Sequence, residues 1–107
     1  MATKAGIYNY LSFEYAFNNF NIINLPGYRE LLIICCVNNN VYNNYSITIF
    51  RDVLNNNSKI FKLGDGINRM EFDITETQIT GYRAYYYENN TWNNGTQLSS
   101  ITVFYKI

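Results

Sequence analysis

Glu30-Leu31-Leu32-Ile33-Ile34-Cys35-Cys36-Val37 is the stretch that decides the fold class. Its apolar part, Leu31 to Val37, is the longest such run in the chain and has the length of a strand. A continuous apolar run of this kind is expected as a central strand buried on both faces. Cys35 and Cys36 are neighbours, so in a strand their side chains point to opposite faces. A bridge between them is geometrically awkward, and they read as two small apolar residues. Just ahead stands Leu25-Pro26-Gly27-Tyr28. This has the signature of a type II turn, with Pro presetting φ at the second position and Gly supplying a positive φ at the third.

Outward from this run, alternation of period two dominates, and no segment forms a convincing stripe of period 3.6. A first strand is expected from about Tyr8 to Phe17. There Ile7, Leu11, Phe13, Tyr15 and Phe17 share one face, while Tyr10, Ser12, Glu14 and Ala16 take the other. Asn38-Asn39-Asn40 and Asn55-Asn56-Asn57-Ser58 are polar turns on either side of a strand from Tyr42 to Arg51. Lys59 to Leu63, Arg69 to Ile74 and Ile79 to Glu88 follow as strands, with Gly64-Asp65-Gly66 breaking the chain between the first two. Asn94-Gly95 is the strongest short hairpin signal, and Gln97 to Lys106 closes the chain with Ile101, Val103 and Tyr105 on one face. Seven or eight short strands with turns at this spacing predict an all-β protein. The expected architecture is a single antiparallel β-sandwich of Greek-key, immunoglobulin-like or jelly-roll-like type.

A chain of 107 residues has room for one domain. Residues 1–24 are expected as an N-terminal arm or first strand, and 25–107 as the sandwich. Eight basic residues balance eight acidic ones, so phosphate neutralisation of nucleic acid lacks its basic surplus. Met1-Ala2-Thr3-Lys4-Ala5-Gly6 is followed by no apolar signal-peptide core, and no run approaches the ~20 residues that cross a bilayer. The expected site of synthesis is therefore a cytosol, without a conventional export signal or membrane insertion. The four Asn-x-Ser/Thr sequons then mark exposed loops only.

Catalytic patterns are scarce. There is no His, which removes the commonest general base and metal ligand. Ser-x-x-Lys and Gly-x-Ser-x-Gly are absent, and the six Gly build no phosphate loop. Glu71-Phe72-Asp73 places two carboxylates on one strand face, the arrangement glycoside hydrolysis would need. They read more simply as solvated acids opposite Phe72 and Ile74. Gly64-Asp65-Gly66 lacks the spacing of a calcium loop and reads as a turn. The chain is expected to be no enzyme, with no catalytic residue, no metal and no cofactor.

Binding is what remains. The chain holds 18 Asn and 19 aromatics, 11 of them Tyr. At 150–250 Å² each, the aromatics amount to roughly 3,000–4,500 Å², more than a small core hides beside 13 Ile. Low charge with zero net charge favours association. Two regions stand out. The aromatic arm, with Tyr8, Tyr10, Phe13, Tyr15 and Phe17, either sits in its own sheet or adds to a neighbouring chain. The tip near Asn89 to Gly95, with Tyr86, Trp92 and Asn93, combines rigid aromatics with adaptable amides in the manner of recognition loops. One face of the Tyr-rich strand, either Tyr82, Ala84 and Tyr86 or Arg83, Tyr85 and Tyr87, belongs to the core.

Tyr28-Arg29-Glu30-Leu31-Leu32-Ile33-Ile34, Ile47-Thr48-Ile49-Phe50-Arg51-Asp52-Val53-Leu54, Phe61-Lys62-Leu63-Gly64, Phe72-Asp73-Ile74, Thr77-Gln78-Ile79 and Ile101-Thr102-Val103-Phe104-Tyr105-Lys106 follow one another in the chain. This succession, over about residues 26–106, resembles a small β-sandwich domain in virion proteins of tailed bacteriophages. There it occurs at fibre ends and on capsid surfaces, notably in crass-like phages of gut anaerobes. The resemblance carries no fixed active-site residues. It implies a non-enzymatic structural protein of the virion, in particular an auxiliary or decoration protein that stabilises the capsid shell. A domain with only a short arm, rather than a long stem, favours the capsid over a fibre tip. The partners expected are the major capsid protein or other virion proteins, with many copies per particle. The alternative is a carbohydrate- or receptor-binding module of a head or tail fibre, with surface glycans as ligands.

Overall fold

Leu31, Ile33 and Cys35 lie fully buried in the computed structural model of the chain, which describes residues 5–15, 22–37, 44–54, 57–95 and 99–107. They belong to β3 (Glu30–Cys36), the inner strand of a sheet ordered β1 (Asn9–Tyr15), β9 (Ser100–Lys106), β3 and β4 (Asn44–Phe50). A second sheet runs β2 (Ile23–Asn24), β7 (Gln78–Glu88), β6 (Asn68–Ile74) and β5 (Lys59–Gly64). β8 (Thr91–Asn94) pairs with the far end of β7. All pairings are antiparallel, and the two sheets pack face to face as a β-sandwich. β9 joins β1 to β3, so the last strand of the chain knits the first into the sheet.

The core lies between the sheets. Leu31, Ile33, Cys35, Ile49, Ile101 and Val103 from the first sheet meet Met70, Phe72, Ile74, Ile79 and Tyr82 from the second. Phe72 stacks on Phe61 with ring centroids 5.6 Å apart. Leu54, fully buried, belongs to this cluster too. It comes from a single helical turn, α1 (Arg51–Leu54), where continued strand was expected at Arg51. Arg51 N–H donates to Arg29 O as the last rung of the sheet, and the turn then swings Leu54 inward. The Tyr82 and Ala84 side of β7 is the side that faces the core.

Several local expectations are corrected. β3 is buried on one face only, because a two-layer sandwich covers each sheet once; Leu32, Ile34 and Cys36 are half-buried on the outer face. Cys35 and Cys36 are both free thiols on opposite faces, and burial pushes the Cys35 thiol up to about 12. Gly27 does not take the positive φ of a type II turn. The strand expected from Tyr8 to Phe17 is described as Asn9–Tyr15, and Ala16 and Phe17 lie outside the described residues. The hairpin turn falls at Asn89-Asn90 rather than Asn94-Gly95, with φ of 55° and 60°, the two positive angles of a type I′ turn. Gln78–Glu88 pairing with Thr91–Asn94 leaves only these two residues between the strands. β8 and the two-residue β2 bring the total to nine strands among the described residues, against seven or eight expected.

The turn between β5 and β6 is locked from both sides. Gly64 has a φ of 151°, and a Cβ there would stand 2.1 Å from Asn68 O. The Asp65 carboxylate accepts the Ile67 and Asn68 N–H groups at 2.7 and 2.8 Å. It also accepts the Tyr45 hydroxyl at 2.6 Å, tying the turn of one sheet to β4 of the other. Among the described residues, no group of three or more Cys, Asp or Glu side chains is placed to hold a metal ion.

Two predictions arise from these turns. Asn90→Val should cost about 1–2 kcal/mol, because a β-branched residue resists a positive φ, while Asn90→Gly should be neutral or stabilising; urea midpoints decide. The second concerns pH. The Tyr45 hydrogen bond, with the two backbone N–H groups, holds the Asp65 carboxyl below its ordinary range. Its contribution is therefore present above the usual carboxylate value and is lost as pH falls through the lower folded one. The same bond pushes Tyr45 up to about 12. The contribution of neutral Tyr45 is complete below ~10 and lost as pH rises toward that value. In stability–pH profiles Asp65→Asn should flatten the acid limb and Tyr45→Phe the alkaline limb.

Candidate interaction surfaces

The outer face of the first sheet is apolar, and a bulge makes it so. In β1 the register with β9 slips between Tyr10 and Ser12: Tyr10 pairs with Phe104, Ser12 with Val103 and Phe13 with Thr102. Leu11 is the extra residue and packs on the core beside inward-facing Ser12. Without the bulge, Tyr10 and Phe13 would face opposite sides. With it, Tyr10, Phe13 and Tyr15 all point outward, 63%, 43% and 51% exposed. Tyr10 meets Phe104 edge-on at 6.0 Å, and Phe13 meets Tyr15 at 5.0 Å.

Across the strands the rows continue the patch. Tyr10, Phe104, Leu32 and Thr48 form one row, and Phe13, Thr102, Ile34 and Ser46 the next. At one end the row of Lys106, Glu30 and Phe50 closes it, with Lys106 Nζ 3.3 Å from Glu30 Oε2. Tyr8 is held at this end. Its hydroxyl donates to Glu30 Oε2, and Lys106 Nζ sits 4.4 Å above its ring. That hydrogen bond raises Tyr8 and lowers Glu30 from their ordinary values.

Of the aromatic-arm residues, three therefore share one exposed face and Tyr8 is tied down beside it. Phe17 lies outside the described residues. The arm is the edge strand of its own sheet. Sequence reasoning did not place Leu32, Ile34 and Phe104 on this surface, because an unbroken apolar run does not say which of its faces is covered.

The outer face of the second sheet is built on charge and aromatics. Glu71, only 8% exposed, lies between Arg69 and Arg83. Arg83 donates to Glu71 Oε1 at 3.1 Å and to Asp73 Oδ2 at 3.0 Å. Arg69 Nε is 3.0 Å from Glu71 Oε2, an ion pair whose N–H is not aimed for a hydrogen bond. The two carboxylates of Glu71-Phe72-Asp73 do share a face, opposite buried Phe72 and Ile74. They are bound into a cross-strand ladder with arginine rather than solvated.

Arg69 also reaches the aromatic end of this face, with its guanidinium 4.3 Å above the Trp92 ring and 5.5 Å from that of Tyr85. Trp92 pairs with Tyr87 across the hairpin, edge-on at 5.3 Å. The recognition-tip residues are thereby split. Trp92 stands on the outer face, whereas Tyr86 and Asn93 oppose each other on the other side of the hairpin. The Asn93 amide donates to Glu88 O and Thr91 O, holding the turn.

No family model, curated protein or solved structure matches the chain. Among the described residues, no helix is long and apolar enough to cross a membrane.

Trp92 belongs to this surface and lies outside the core cluster. Trp92→Ala should thus leave the sandwich folded and cost about 1–2 kcal/mol, the worth of one cation–π and one aromatic pair. Urea unfolding measures the cost, and far-ultraviolet circular dichroism should show retained strand structure.

Proposed function

We propose that this protein is a non-enzymatic structural component of a tailed-phage virion, an auxiliary or decoration protein that binds the capsid and stabilises the shell. The observation that carries the reading is the outward aromatic ridge of Tyr10, Phe13 and Tyr15 beside Phe104, Leu32 and Ile34. Contiguous apolar surface of this kind marks sites of protein association. The succession of strand sequences that resembles phage virion-surface sandwiches supplies the class of partner. The ridge would cover apolar ground on major capsid subunits, in many copies made in the host bacterial cytoplasm. An interface near the standard ~1,600 Å² suffices for each copy, and repetition over a lattice strengthens modest contacts.

A second reading has its own observation. Trp92, Tyr87 and Tyr85 with Arg69 on the opposite outer face suit a carbohydrate or receptor. Aromatic rings offer flat apolar contact, and the arginine offers fixed donors.

One experiment separates them. Purified protein is mixed at micromolar concentration with phage heads that lack it and, in parallel, with a glycan array. Wild type should sediment with the heads and ignore the array. Tyr10→Ser/Phe13→Ser/Tyr15→Ser should lose at least ~10-fold in head binding, the effect of removing several central aromatic contacts. Its circular dichroism should stay unchanged. Trp92→Ala should bind heads normally. Glycan binding that Trp92→Ala abolishes, with no retention on heads, overturns the capsid reading in favour of the second.

A further inference from the structure

A sandwich of two open sheets has four strand edges to protect from other chains, and three of them carry a guard. The β1 edge has the bulge at Leu11 and an inward-facing Glu14 opposite Ile101. The β5 edge carries Lys59 and Lys62. The remaining edge of the second sheet is divided between the two-residue β2 and the four-residue β8. β4, Asn44-Tyr45-Ser46-Ile47-Thr48-Ile49-Phe50, has no charge, no Pro and an unbroken register with β3. Among the described residues, no strand pairs with its outer side.

The backbone direction of that side follows from the ladder. Arg51 N–H donates to Arg29 O across the β3 side, and amide direction alternates along a strand. The N–H and C=O groups of Tyr45, Ile47 and Ile49 therefore point to β3. Those of Ser46, Thr48 and Phe50 point out of the sheet edge.

We propose that β4 pairs antiparallel with β4 of a second copy of this chain about a two-fold axis at Ile47. The pairing joins two four-stranded sheets into one. A strand that meets itself this way needs no like charges opposed and each face matched to its own kind, and β4 meets both conditions. With Ile47 opposite Ile47, Ser46 of each copy faces Thr48 of the other on the outer face. Tyr45 faces Ile49 on the inner face. Zero net charge on the chain leaves little long-range repulsion against the approach. The row Tyr10, Phe104, Leu32, Thr48 of one copy runs on into Ser46, Ile34, Thr102, Phe13 of the other, so the two outer faces lie on the same side of one sheet, joined by a seam of Ser46 and Thr48 hydroxyls with Asn44 opposite Phe50 at its ends. The hydroxyl-to-hydroxyl and apolar-to-apolar match that β4 makes with itself about Ile47 selects a second copy as occupant over an unrelated strand. The inference stands whether the partner of the outer face is a capsid or not.

Sedimentation velocity across the micromolar range tests it with three proteins. Wild type should be a concentration-dependent dimer. Ser46→Lys/Thr48→Lys opposes two like-charged pairs and should weaken the dimer by at least ~10-fold. Ser46→Lys/Thr48→Glu opposes Lys to Glu twice and should restore it. Amide hydrogen exchange on wild type provides a check that needs no variant. The Ser46 and Thr48 amides should be protected in the dimer and lose protection on dilution. A wild type that stays monomeric, a dimer that Ser46→Lys/Thr48→Lys leaves intact, or fast exchange of both amides at every concentration overturns the proposal. A monomer whose β4 amides become protected only when another protein is added overturns it too, in favour of that protein.

Discussion

A two-layer sandwich can bury only one face of each sheet, and the surface of this protein is arranged around that limit. Alternation fixes which residues go inward: Leu31, Ile33 and Cys35 from one sheet, Met70, Phe72 and Ile74 from the other. Whatever stands between them in sequence must face out. In the second sheet those positions are Arg69, Glu71, Asp73 and Arg83, which neutralise each other along β6 and across to β7. In the first they are Leu32, Ile34, Thr102 and Phe104, which have no such means of meeting water. The same geometric rule thus gives one polar outer face and one apolar outer face. The difference between the two sides is a property of sequence, not of topology.

Two bulges adjust the rule where strict alternation would misplace a side chain. At Leu11 the extra residue lets Leu11 and Ser12 both face inward and turns Tyr10, Phe13 and Tyr15 to one outer side. In β7 the pairing slips between Asp73 and Ile74 of β6, leaving Thr80 as the extra residue. Ile79 consequently enters the core opposite Ile74, and Gly81 falls opposite Asp73. A Cβ on Gly81 would stand 3.2 Å from the Asp73 carboxylate, so the glycine leaves room for the ion pair with Arg83. One bulge collects an aromatic ridge and the other admits a core residue beside a charge ladder. Such irregularities near functional surfaces re-aim side chains without changing the fold.

The sandwich itself was legible in the sequence because strand alternation and polar turns repeat along most of the chain. The apolar run at Leu31 to Val37 and the alternating stretches around it set the order of the elements closely, while the turns expected at Asn38 to Asn40 and at Asn55-Asn56 lie outside the described residues. Less legible was anything that depends on counting residues within a strand. A bulge leaves no mark that pattern reading detects, so the face shared by Tyr10 and Phe13 could not be read, although both residues could be named. The hairpin shows a related limit. Asn94-Gly95 and Asn89-Asn90 both have turn chemistry, and the choice between them was made by register, since Tyr87 must meet Trp92 for the aromatic pair to form. Of the three tip residues, Trp92 stands on the outer face, and Tyr86 and Asn93 alternate to the other side. Glu71 and Asp73 share one face as alternation predicts; Arg69, two residues before Glu71, joins them on the same strand, while their shared partner Arg83 sits on a neighbouring strand that sequence does not bring near.

The apolar face and the unguarded β4 edge are two consequences of one economy of charge. Of the 16 charged residues in the chain, six are spent on pairing Arg69 and Arg83 with Glu71 and Asp73, and Arg51 with Glu76. The first sheet keeps Glu30 and Lys106 at one end of its outer face and has none along β4. A free monomer with such a face and edge would be prone to unspecific association. The same features suit a protein whose working state is assembled. In the assembly proposed above the apolar ridge would lie against a partner, the edge would continue into another sheet, and the polar ladder with Trp92 would face outward. The Arg69, Glu71, Asp73 and Arg83 ladder would then occupy the side that stays in water.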